Sequence, residues 1–302
     1  MNKPCTLISV LLLAHSCASL AIDEESPRQQ AQDPAHVTEK TEVYKTIGDV
    51  VLSLTLFETN APDSAPPRPA AVFFFGGGWN GGSTTQFEPH ARYLAQRGMV
   101  GIVADYRVKS RQGTTPFECV ADGKSALRWV REHSARLGID PTRIAAGGGS
   151  AGGHVAATTG VIVGLEEAGE DVTTSSKADA LLLFNPVFDN GPDGYGYNRV
   201  GDRFAEISPL HNITQGAPPT IVFLGDADEL IPVSTADEYK HRMEAAGSQC
   251  DLHVYEGQPH GFFNEGRSPE HYYLTVLEMD RFLVALGWLL GEPTIARPVP
   301  IR

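Results

Sequence analysis

Five short runs of this sequence are apolar almost from end to end: AAVFFF (residues 70–75), VGIVADY (100–106), RIAAGG (143–148), ALLLF (180–184) and TIVFL (220–224). A strand sends successive side chains to opposite faces, so a strand with one wet face alternates in polarity. Runs without that alternation are buried on both faces, and the helical patterns between them supply the cover. Residues 87–98 read as a helix ending on glycine, and residues 116–134 as a helix with Phe117, Val120, Leu127 and Val130 along one face and Lys124, Arg128, Arg131 and Glu132 elsewhere. Residues 237–247 and 270–290 are two more helices; residues 50–57 and 251–255 are two more strands. The pattern predicts one large α/β unit built on a parallel sheet.

The chain start reads differently. Lys3 precedes a short apolar run at residues 7–14, and Ser19-Leu20-Ala21 resembles a small-residue cleavage site, so residues 1–21 are expected to be an export signal cut near Ala21. The run is much shorter than the roughly 20 residues that cross a bilayer, and no stable membrane insertion is expected. Residues 22–45 are polar and predict a flexible leader, residues 46–291 the folded domain and residues 292–302 a tail. Removing the signal leaves 23 basic against 37 acidic side chains, a formal −14, which argues against nucleic acid as a partner. Cys119 and Cys250 remain, too few for a disulfide framework, and the absence of CxxC and HExxH patterns predicts no metal.

The stretch IAAGGGSAGGH (residues 144–154) holds five glycines around one serine, between a strand and a helix. Gly148-Gly149-Ser150-Ala151-Gly152 fits G-x-S-x-G, the sharp turn that projects a nucleophilic hydroxyl above a sheet. Gly147-x-Gly149-x-x-Gly152 also fits a dinucleotide fingerprint, but that reading needs an acid ending the next strand about 20 residues on. Residues 166–176 (EEAGEDVTTSS) are a polar loop instead.

A serine hydroxyl is a weak nucleophile until an oriented base takes its proton, so a histidine with its own acid should follow. Asp228 stands just past the strand TIVFL, in GDADELIP, with Asp226 and Glu229 as competitors; His260 stands in the loop GQPHGF after the next strand. The order Ser150, Asp228, His260 is that of α/β hydrolases. The developing oxyanion needs N–H donors, and Gly77 and Gly78 of FFFGGGWNGG, with Ala151, are placed to supply them.

Gly76-Gly77-Gly78-Trp79, Ala104-Asp105-Tyr106-Arg107, Gly149-Ser150-Ala151-Gly152-Gly153-His154, Asp228 and Pro259-His260-Gly261-Phe262 together resemble the esterase branch of the α/β hydrolases that includes hormone-sensitive-lipase-like enzymes and acetylxylan and feruloyl esterases. The resemblance spans roughly residues 46–290. It implies a mostly parallel sheet of about eight strands, a minimal cap, no cofactor, and ester hydrolysis through an acyl-enzyme. Two residues depart from the pattern: Phe75 stands where the family's oxyanion loop usually has histidine, and Gly149 where lipase-like members often have aspartate. The first means that the loop must be braced by something else. The second leans toward carbohydrate esterases.

Residues 190–213 form an aromatic, glycine-rich insertion, the candidate lid or specificity region, and Trp79, Tyr195 and Tyr197 are the expected substrate contacts. Lipase-like relatives usually carry an N-terminal helical cap, which residues 22–45 are too polar to form, so an acylated carbohydrate or small ester met after export is the expected partner. A prolyl-oligopeptidase-like peptidase and a non-catalytic binding module are the rival readings.

Overall fold

The computed structural model describes residues 1, 36–60, 62 and 64–299. The described residues from 36 onward belong to one compact unit, which holds every element described below. The expected signal, and the expected leader up to residue 35, lie outside the described residues.

Eight strands form one sheet: β1 (Val37–Ile47), β2 (Val50–Thr59), β3 (Arg68–Phe74), β4 (Val100–Ala104), β5 (Ile139–Gly149), β6 (Ala180–Phe184), β7 (Thr220–Gly225) and β8 (Cys250–Tyr255). Their spatial order is β1-β2-β4-β3-β5-β6-β7-β8, with β1 and β2 antiparallel at one edge and all pairs from β4 onward parallel. The leader expectation is corrected here. Residues 37–45 belong to β1, whose polar side chains suit an edge strand with an exposed face and whose backbone pairs with β2 from Val37↔Thr59 to Ile47↔Val50.

Five longer helices cover the sheet: α1 (Glu88–Gln96), α2 (Pro116–Glu132), α3 (Ala151–Val161), α4 (Val233–Ala245) and α5 (Pro269–Ala285). α2 starts where Thr115 and Glu118 close a reciprocal cap and Pro116 fills the first turn. Alternate residues of the apolar strands divide between two cores. Val72, Phe74, Ile102, Leu181 and Leu183 face the core containing Leu127, Val155 and Tyr239, while Phe73, Val103, Leu182 and Phe184 face the one containing Leu94, Val276 and Leu283. That division is why these strands show no polarity alternation.

The tail packs against the domain. Thr294 donates its N–H to Tyr93 Oη at 3.2 Å and Arg297 pairs with Glu270. Cys119 and Cys250 are free and buried. Asn212 of the sequon Asn212-Ile213-Thr214 spends its side-chain amide on the carbonyls of Ala205 and Ser208, both at 2.8 Å.

Candidate active site

β5 ends and α3 begins on either side of Ser150, whose φ of 53° and ψ of −119° are costly for a residue with a Cβ. The glycines make the turn possible. A Cβ on Gly152 would lie 2.1 Å from the Phe74 carbonyl oxygen, and one on Gly148 2.5 Å from the Gly152 oxygen. The first helical turn packs this close to β3 and β5 only without side chains. At Gly149 a Cβ would stand 2.5 Å from the Phe263 ring, so the aromatic loop after β8 occupies the space that an aspartate there would need.

Ser150 and His260 are half-buried and Asp228 is nearly enclosed. His260 Nε2 lies 2.9 Å from Ser150 Oγ, and His260 Nδ1 lies 2.7 Å from Asp228 Oδ2. An ionised carboxylate only accepts, which puts the ring proton on Nδ1 and leaves Nε2 free to accept from the serine hydroxyl. Asp228 Oδ1 in turn accepts the N–H groups of Leu230 (2.9 Å) and Ile231 (3.0 Å), which fixes the carboxylate. The competitors are elsewhere: Asp226 accepts from Gly257 N at 2.6 Å, and Glu229 is exposed. Asn185, just past β6 with φ of 35°, accepts the Gly261 N–H at 2.8 Å and so ties down the loop beside His260. Among the described residues its Nδ2 is buried without an acceptor, and Asn185 lines the serine cleft.

Gly77 (φ 130°) and Gly78 (φ 60°) follow β3 in conformations open to glycine. Among the described residues, no acceptor takes the N–H of Gly77, Gly78 or Ala151. The bracing that Phe75 cannot give comes from two side chains. Gly76 donates its N–H to Gln86 Oε1 at 2.6 Å, Gln86 Nε2 donates to Asn264 Oδ1 at 2.9 Å, and Asn264 Nδ2 donates to the Gly261 carbonyl at 2.7 Å. One chain of amides therefore joins the glycine loop to the histidine loop. Tyr106 donates its hydroxyl to the Phe75 carbonyl at 2.6 Å and stacks on the Phe75 ring with centroids 4.2 Å apart.

The cleft above Ser150 has a volume of about 350 Å³, and its walls include Gly77, Gly78, Gln86, Tyr195, Arg199, His260 and Arg267. Of the expected substrate contacts only Tyr195 lines it. Trp79 is buried beneath, edge-on to His154 with centroids 5.0 Å apart, and lines a neighbouring cavity of about 450 Å³. Tyr197 turns away to Asp202 at 2.9 Å. Aromatic character in a glycine-rich loop does not reveal the direction a ring takes. His154 fastens the insertion: its Nε2 meets the Ile207 carbonyl at 2.9 Å and Asn190 Oδ1 at 3.0 Å, while Asn190 Nδ2 donates to the Tyr195 carbonyl at 3.0 Å. Burial lowers the His154 pKa to about 4, so the ring is neutral. Gln86, Asn185, Asn264, Arg199 and Arg267 carried no motif and were not singled out from sequence.

A buried strand, a strained serine turn and a histidine and aspartate borne by the loops after β8 and β7 define the α/β-hydrolase class. Residues 59–190 match the BD-FAE family and residues 194–286 the dienelactone hydrolase family. The chain is 41% identical over 224 residues to carboxylesterase NlhH of Mycobacterium tuberculosis (strain CDC 1551 / Oshkosh), covering 65% of this chain and 67% of that protein. It is 29% identical over 217 residues to esterase LipC of Mycobacterium tuberculosis (strain ATCC 25618 / H37Rv), covering 65% of this chain but 53% of that longer relative, so it spans about half of LipC's length. The structure of Thermogutta terrifontis esterase 2 phosphoramylated by tabun superposes with a TM-score of 0.81 at 45% identity, over 84% of this chain and 97% of that one. This chain belongs to the hormone-sensitive-lipase-like esterases of the α/β-hydrolase family.

Proposed function

We propose that the protein is an exported serine carboxylesterase that removes short acyl groups, acetyl or feruloyl, from polysaccharide through an acyl-enzyme. The observation that carries this reading is the continuous contact Asp228–His260–Ser150 at 2.7 and 2.9 Å beside three N–H donors without acceptors. Ser150 Oγ bonds to the ester carbonyl carbon as its proton passes to His260 Nε2. Gly77, Gly78 and Ala151 donate to the oxygen that becomes negative. His260 then returns the proton to the alcohol oxygen as the carbon–oxygen bond breaks. Water repeats the sequence on the acyl-enzyme, releasing the acid and restoring the hydroxyl. Asp228 holds the imidazole tautomer throughout.

The short acyl group is supported by the size of the cleft and by relatives: Thermogutta terrifontis Est2 has been captured with propionate and with butyrate bound. A polymeric alcohol is supported by the insertion, whose four helical pieces are three or four residues each and too short to roof the site. Export rests on residues 1–21 and places the enzyme where such polymers are met. The test is a panel of chromogenic esters of increasing chain length, followed by acetylated and feruloylated xylan, with a fluorophosphonate probe mapped to Ser150. Highest kcat/KM on the shortest chains, with acid released from the glycan, is expected. Equal turnover of long-chain triglyceride with none of the glycan would overturn the substrate, and an unlabelled Ser150 the mechanism.

A further inference from the structure

The basic side chains around the cleft are partnered differently from those of the rest of the fold. Among the described residues, every lysine and arginine has an acid in ion-pair contact except Lys109, Lys177, Arg199 and Arg267. Lys177 turns to the Gly216 carbonyl, away from the site. The other three stand on the serine cleft or on the cavity beside it. Arg199 and Arg267 both line the cleft; Arg199 and Lys109 line the neighbouring cavity, which is bounded also by Asn80, Thr114 and Asn198.

Neither lining contains an aspartate or a glutamate, in a chain with 37 acids against 24 bases. Of the acids nearest in sequence to these walls, Asp105 pairs with Arg111, Glu118 with Thr115, Asp202 with Tyr197 and Asp228 with His260, while Glu229 and Glu265 are exposed and line neither wall. The arginines are also placed. Arg199 donates to the Gly78 carbonyl and stands over the rings of Trp79 and Tyr195, 5.6 Å from each centroid. Arg267 Nη1 lies 3.3 Å from where a Cβ would stand on Gly261, the residue after His260, and among the described residues its guanidinium makes no hydrogen bond. Trp79 and Thr114 line the second cavity, and among the described residues Trp79 Nε1 and Thr114 Oγ1 are buried without partners.

We propose that this acid-free strip, running from Arg267 across the cleft to Arg199 and Lys109, binds anionic groups carried on the alcohol half of the ester. The substrate is then an acylated acidic glycan bearing carboxylate or sulfate. The side is set by chemistry and rests on the esterase reading above: His260 hands its proton to the departing alcohol, so the alcohol half leaves past His260 and the guanidinium beside it. Arginine offers a planar fork that matches either anion with two parallel hydrogen bonds.

The test compares phenyl acetate, 4-acetoxybenzoate, 4-acetoxybenzenesulfonate and monophenyl succinate. The first is neutral, the next two carry the charge on the alcohol half, and the last carries it on the acyl half. At low salt the expected KM of at least one alcohol-side anion is about tenfold below that of phenyl acetate. The advantage collapses as salt rises from about 0.01 to 0.5 M and the screening length falls well below 10 Å. A preference for the benzoate alone assigns carboxylate, and for the sulfonate alone sulfate. Arg267→Gln and Lys109→Gln lower the ratio of kcat/KM for the charged over the neutral ester, and Arg267→Lys restores part of it. The wild-type salt dependence needs no variant to fold. Equal KM for all esters at low salt, or a preference for monophenyl succinate alone, overturns the proposal while phenyl acetate turnover leaves the esterase reading standing; no turnover of any ester defeats both.

Discussion

The polar cluster around Asp122 and the one around Ser150 use the same kinds of group and differ in what is left unpaired. Asp122 is wholly buried and accepts from Lys45 Nζ (2.7 Å) and from Arg107 N (2.9 Å), Nε (2.8 Å) and Nη2 (2.7 Å). Glu167 joins the same two cations, and Glu166 and Glu170 reach Lys124 and Arg128. Every charge has a partner, and the cluster pins β1, the loop after β4, α2 and the loop after α3 together. Around Ser150 the N–H groups of Gly77, Gly78 and Ala151 and Asn185 Nδ2 have none among the described residues. The glycine N–H groups stand at the cleft wall, where an oxygen of the substrate can accept from them. The closed cluster holds structure and the open one faces substrate.

The largest effect separates the two most sharply. Ser150→Ala is expected to lower kcat by on the order of 10⁵-fold while the melting temperature moves by only a few degrees. Ester turnover and a thermal scan on the same sample check it, and retained turnover would erase the distinction. Asp122→Ala should do the reverse. Leaving Lys45 and Arg107 buried without their shared carboxylate costs about 3–5 kcal/mol in urea unfolding, with kcat of the folded fraction close to wild type; an intact stability would mean that the closed cluster is not structural.

Gln86→Leu lies between the two regimes. It frees the Gly76 N–H and cuts the amide chain to the histidine loop, so kcat should fall about tenfold to a hundredfold, less than the 10²–10³ for deleting an oxyanion donor outright, with KM little changed. An unaltered kcat would show that Tyr106 alone braces the loop.

The smallest effect is on pH. Burial lowers His154 to about 4 and His90 to about 3, against an ordinary value of 6.5. The unfolded chain takes up protons below pH 6.5 while the folded rings stay neutral, so their contribution is present above 6.5 and lost as pH falls toward 4. From pH 7 to 6 the loss is about 1.4 kcal/mol for the two together, steepening toward roughly 1.4 kcal/mol per pH unit each below that. His154→Gln, measured over the same range, should flatten the slope by half.

Much of this was legible beforehand because it rests on local patterns. Apolar runs named β3 to β7, and the glycine turn, the acid past β7 and the histidine past β8 each sit at a fixed offset from a strand end. β1 was hidden because an edge strand with an exposed face reads as a polar leader. The polar loop at residues 166–176 showed no sign that Glu166, Glu167 and Glu170 reach buried cations, since their partners lie 38 to 122 residues away. Ring direction denies Trp79 and Tyr197 the cleft contacts that their sequence context suggests, and Arg199 and Arg267 carry no sequence signal because an unpaired cation is defined by neighbours that only folding supplies.

By itself the sequence determined which segments are buried on both faces and which glycines allow a serine on a strained turn, because those follow from side-chain period and from backbone sterics. Tertiary structure alone decided that Gln86 and Tyr106 replace the missing histidine brace and that three cations near the cleft have no ion-pair acid among the described residues. Those outcomes depend on which distant groups arrive within 3 or 4 Å of one another, and hydrogen-bond and ion-pair distances belong to the packing of elements rather than to any stretch of chain.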